Sequence, residues 1–168
     1  MEGRNMQPGD LVLCRQNTVL DKIISVAQML HTSSQASHWT HVAIVKDPKT
    51  GEMYEAVSSG VKIGNISAYP DHLVVPMNLN AYDTAKMMNF CEHWLGAEYG
   101  FLTLFSIGID MLTPAFFHFR SGDTFICSQY AAKALEQTGW ICPIVDSSHV
   151  MPSNLEQWLV KVTPANAK

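Results

Sequence analysis

A change of hydrophobic period near residue 80 constrains the fold of this chain more than any other feature. Apart from a helical stretch over 17–30, residues 8–77 hold short apolar runs separated by turn chemistry. After residue 80 the apolar positions fall at helical spacing. Pro8-Gly9-Asp10 is a turn signal, and Leu11-Val12-Leu13-Cys14 after it reads as a short buried strand. His41 to Val45 reads as a second. Asp47-Pro48-Lys49-Thr50-Gly51 then has the residues of a tight turn, and Glu52 to Val57 follows as the hairpin partner. Val61 to Ile66 and His72 to Met77 are two further strand candidates.

Helices are expected elsewhere. Asn17 can cap one through Leu30, with Leu20, Ile23, Ile24, Ala27 and Leu30 on its apolar face. Tyr82, Ala85, Met88, Cys91 and Leu95 share a face of a second, which Gly96 would close. Asp123 or Thr124 would cap a third that runs to Gly139. Ser153 and Glu156 have capping-box spacing for a short final one. The expected fold class is therefore α+β, an antiparallel sheet of about five strands packed against helices. No linker or repeat divides the 168 residues, so a single domain is expected.

Composition narrows the function classes. Charged residues are 15% of the chain, against about 25% in an average soluble domain. The hydrophobic set is 47%, which excludes a disordered chain. Four Cys are too sparse for a disulfide scaffold. A net charge of −4 offers no footprint for nucleic acid. Residues 23–45 carry no Asp, Glu, Lys or Arg, and residues 99–119 carry only Asp110. Polar residues, glycines and Pro114 interrupt both stretches, so neither reads as a transmembrane segment. MEGRNMQPGD has no apolar core region, so no signal peptide is read there. Synthesis in a reducing cytoplasm, with the cysteines as thiols, is the expectation. The sequence assigns no oligomeric state.

Three residues could carry chemistry together. Cys127 lies in the first turn of its helix, where the dipole and free backbone N–H groups favour thiolate and could hold an oxyanion. Most free cysteines are small buried hydrophobes, and Cys14, Cys91 and Cys142 read that way. His41 opens a buried strand, so its ring sits rigidly at a strand end. Glu55 lies on the hairpin partner of that strand. Directed to the His side it could orient the imidazole, and directed the other way it would be a solvated residue; register decides. A nucleophile, a base and an orienting acid would support acyl transfer through an acyl-enzyme. His38 and His41 are too poorly placed for a metal pair, and no CxxC or HxxxH element occurs, so no metal and no cofactor is expected.

"PGDLVL", "THVAIV", "YEAVSSGVKI" and "FICSQYAAKAL", in this order, resemble the circularly permuted NlpC-type cysteine hydrolases of the papain-like superfamily, in particular the YiiX-like branch. The His strand precedes the Cys helix, an order shared with the lecithin retinol acyltransferase-like branch. The resemblance spans about residues 8–158. It implies Cys127 as nucleophile, His41 as base and Glu55 as the orienting residue. Ser128 matches the small polar residue after the nucleophile. Tyr99 resembles a Tyr that can face the site, where its hydroxyl could serve the oxyanion or the substrate. Residues 100–121 are longer and more aromatic than the pattern and are expected to be an insertion lining the cleft. The implied activity is hydrolysis of an amide bond, in a cell-wall-type peptide, by a cysteine peptidase or amidase. The lack of a signal suits a phage-encoded or otherwise delivered enzyme. Two alternatives stand beside it. One is a lipid or thioester acyl hydrolase or acyltransferase, with Phe101 to Phe105 and Phe116-Phe117 holding an acyl chain in peripheral lipid contact. The other is a non-catalytic binding module on the same fold.

Overall fold

A computed structural model describes residues 5–15, 39–99 and 124–141, together with Val150, Leu155, Trp158 and Leu159. The strands are β1 (Leu11–Cys14), β2 (His41–Asp47), β3 (Glu52–Val57), β4 (Gly60–Asn65) and β5 (His72–Val75). They form one antiparallel sheet in the order β4-β3-β2-β1-β5. This is the five-strand α+β arrangement expected from the sequence. Helix α1 (Ala81–His93) follows. A short parallel pair, β6 (Glu98–Tyr99) and β7 (Thr124–Phe125), leads into helix α2 (Cys127–Glu136). The helix expected over Asn17 to Leu30, the segment 100–121, and Ser153 with Glu156 lie outside the described residues.

Strand alternation sorts the core into two layers. Leu11, Leu13, Val42, Ile44, Tyr54 and Ala56 face α1 and α2, whose contributions include Met87, Cys91, Tyr130 and Leu135. Leu155 and Leu159 join the same cluster. Val12, Cys14, Ala43, Val45, Met53 and Tyr69 form a smaller cluster on the other face. Full burial on both faces explains why β1 and β2 read as continuous apolar runs. Each such side chain contributes about 1.5–3 kcal/mol of transfer free energy. Asp10 is buried where β1 begins, and its carboxylate accepts from the N–H groups of Gln7 and Met77. That bond ties the start of β1 to the end of the sheet.

The helices begin where their caps allow. Asn80 caps α1, its side chain accepting from Asp83 N–H at 2.9 Å. The helix ends at His93. Gly96 lies three residues further on with φ +86°, and its N–H reaches Val61 O. The cap expected for α2 is corrected. Thr124 is a strand residue, and the N-cap is Ile126, extended and without a side-chain cap. The helix therefore begins at Cys127 itself. It ends at Glu136, followed by a turn through Gly139. Tyr130 O–H donates to Cys91 O and holds α2 against α1.

The short pair β6–β7 was not expected. Val61 N–H donates to Ala97 O, which brings β6 alongside β4. Gly60 makes this possible: a Cβ there would lie 2.7 Å from Ala97 O, and its φ of +107° suits glycine.

Candidate active site

The hairpin register brings His41 and Glu55 together. Glu55 pairs with Ala43 on one side and Lys62 on the other. His41 lies two residues before Ala43, so it shares that face and is a diagonal neighbour of Glu55. A bulge between Val45 and Asp47 produces this register. Without it, the Asp47–Glu52 pairing would carry on down the strands and put Glu55 opposite Ile44, on the other face.

Glu55 is 3% exposed and its carboxylate is fully engaged. Oε2 lies 3.1 Å from His41 Nε2 and also accepts from Tyr69 O–H. Oε1 faces Lys62 Nζ at 3.8 Å. Burial alone would push this carboxyl up. The bonds from His41 and Tyr69, with the nearby positive charges, outweigh it and hold Glu55 below its ordinary value. Gly64 leaves room for this arrangement, since a Cβ there would sit 2.2 Å from Oε1.

His41 is 5% exposed. Its other neighbour is Cys127, whose sulfur acts on the charge of the ring. With Nε2 facing the carboxylate, Nδ1 is the nitrogen left for the sulfur. Burial would drive the proton off the imidazole. The bonds to Cys127 and Glu55 reverse that and hold His41 up to about 9. At neutral pH the ring is then an imidazolium, donating through Nε2 to Glu55.

Cys127 is the first residue of α2 and 3% exposed. The first helical bond is Tyr130 N–H to Ile126 O, so the N–H groups of Cys127, Ser128 and Gln129 precede it. Ser128 is buried and its hydroxyl donates to Val150 O, so its share in a site is its backbone N–H. Tyr99 pairs with Phe125 on the strand leading into α2; its side chain lies outside the described residues. Cys14 and Cys91 are buried free thiols. Burial pushes Cys91 up to about 12 and raises Cys14 further, so neither is reactive at neutral pH. Cys142 and His38 lie outside the described residues.

Three contributors escaped sequence reasoning: Tyr69, Lys62 and Gly64. Tyr69 sits in a loop after a 3₁₀ turn (Ile66–Ala68), where no local pattern marks it. Gly64 had a signal, since a glycine inside a strand marks close approach of another group. A groove lined by Gln7, Pro8, Asp10, Leu79 and Thr84 lies at the start of β1, the end away from Cys14 and His41.

The two shifted groups make stability depend on pH. His41 holds its proton more tightly folded than unfolded. Its contribution is complete below 6.5 and is lost as pH rises towards about 9. Glu55 is lowered, so its contribution is present above 4.5 and is lost as pH falls through its folded value. Urea unfolding across pH 6.5–9 should show declining stability, and His41→Gln should remove that decline. A profile of equal slope in both proteins would contradict the assignment.

No protein-family profile matches this sequence, and no curated protein does. Solved structures do match. One is a YiiX protein from Escherichia coli O157:H7, described as a metalloprotein and as DUF1105. It is 18% identical, with a TM-score of 0.58, covering 92% of this chain and 82% of that one. The fold is YiiX-like. Among the described residues, no group of three or more His, Cys, Asp and Glu side chains is arranged to hold a metal ion. Both oxygens of Glu55 and Nε2 of His41 are already turned towards one another and towards Tyr69 and Lys62. This donor set does not fit a metal centre. No helix among the described residues is long and apolar enough to cross a membrane.

Proposed function

We propose that this chain is a cysteine hydrolase of the permuted papain-like, NlpC-type fold, cleaving an amide bond through an acyl-enzyme. One observation carries the reading: a buried imidazole with Cys127 on one side and Glu55 on the other. The proposed attacking pair is a Cys127 thiolate beside the His41 imidazolium. The sulfur attacks the carbonyl carbon, and the C–O π pair moves to oxygen. Backbone N–H groups at the start of α2 face the oxyanion. His41 gives its proton to the departing nitrogen as the C–N bond breaks, leaving a thioester. Water then attacks the thioester while neutral His41 takes its proton. The acid product leaves and the Cys–His pair is restored. Glu55 keeps Nε2 engaged throughout, so Nδ1 stays aimed at the sulfur.

The proposed substrate is a cell-wall-type peptide, on the strength of the sequence resemblance. Incubation with peptidoglycan fragments and, separately, with acyl esters, read by mass spectrometry, tests this. A cleaved amide is expected. Cleavage of esters alone would move the reading to an acyl hydrolase, and no product from either would count against it. With the cleaved substrate, Cys127→Ala should cost about 100-fold more turnover than Glu55→Gln, because the orienting group is the more replaceable. Equal losses would give Glu55 another part.

A further inference from the structure

We propose that Tyr69 is a fourth member of this array, a positioning residue that sets the tilt of His41 and holds Glu55 as a carboxylate. The inference rests on the cysteine hydrolase reading and deepens it. Tyr69 is 4% exposed and touches both partners at once. Its ring stacks on the imidazole, with centroids 5.5 Å apart and planes 21° apart. Its hydroxyl donates to Oε2, the same oxygen that faces His41 Nε2. The stack restricts rotation of the imidazole about its bond to the backbone. The aromatic face also favours a positive ring over a neutral one.

Tyr69 is itself held firmly. Its N–H donates to Ile66 O at 3.0 Å, and its carbonyl accepts from His72 Nδ1 at 2.6 Å. His72 pairs with Cys14, which pairs with His41, so Tyr69 is tied to the same row of the sheet that it stacks against. The groups acting on Glu55 are then His41 from β2, Lys62 from β4 and Tyr69 from the loop. Cys14 on β1 also feels its charge. Lys62 is half exposed and contributes little through solvent. Tyr69 is therefore the main support of the carboxylate besides His41.

The test reads the rate of iodoacetamide alkylation at Cys127 against pH, by mass spectrometry of its peptide. In the unaltered protein Cys127 should outpace Cys14 and Cys91 across neutral pH. Failure there would overturn the hydrolase reading, and the role of Tyr69 with it. Tyr69→Phe keeps the stack and removes the donor. Glu55 then needs a higher pH to ionise, so the acid limb should move up by roughly one pH unit. Site-specific 3-fluorotyrosine at position 69 keeps ring and hydroxyl but donates more strongly, and should move the limb down. This second variant keeps the fold even if Tyr69→Phe does not. Limbs that coincide with the unaltered protein's, in folded variants, would overturn the role of Tyr69 and leave the hydrolase reading standing. A purely structural tyrosine would lower the unfolding midpoint without moving either limb.

Discussion

Iodoacetamide at neutral pH is expected to modify Cys127 roughly 100-fold faster than Cys14 or Cys91, and His41→Gln to erase that advantage. All three thiols are buried, so burial does not distinguish them. Their partners do. Cys14 donates to a backbone carbonyl, Val12 O at 3.7 Å, and Cys91 lies under Tyr130. Each is driven towards the neutral thiol by loss of water. Cys127 neighbours an imidazole whose proton is held up to about 9. It also stands at the positive end of α2. Equal rates for the three thiols would sink the paired nucleophile, and an unchanged Cys127 rate in His41→Gln would leave the helix end as its sole support.

Gly64→Ala should have the next largest effect, at a glycine inside β4 that approaches Glu55. The new methyl would lie 2.2 Å from Glu55 Oε1 and 2.6 Å from Cδ, so the carboxylate must leave its place. It would forfeit both bonds at Oε2 and strand a charge in a buried site. The expected cost is roughly 2–4 kcal/mol in urea unfolding. The sharper readout is His41. Without Glu55 its burial is opposed by Cys127 alone, so its titration, followed by NMR of the ring protons, should fall from about 9 towards its ordinary 6.5. Glu55→Gln should reproduce that fall without the packing penalty. An unchanged His41 titration in Gly64→Ala would mean that the carboxylate can stay put.

Cys127 and His41 were legible because local chemistry marks them. A helix opening near Asp123–Thr124 puts a cysteine in its first turn, where backbone N–H groups lack helical partners. A histidine opening a fully apolar strand is held rigid for the same local reason. Glu55 was legible only as one of two facings. Tyr69 was not legible at all, because a loop tyrosine carries no periodicity. The start of α2 was misplaced because Thr124 is a good capping residue, whereas the pairing with β6 draws it into a strand.

The chain's own pattern determined the α+β class, the five strands, a helix after residue 80 and another that carries Cys127 in its first turn. These follow from period, turn chemistry and composition, which act within a few residues. The tertiary structure alone decided that Glu55 meets His41. Side chains alternate across a strand, so one extra residue in the bulge at Val45–Asp47 carries Glu55 from the helix-covered face to the face of His41, and no local propensity specifies that slip.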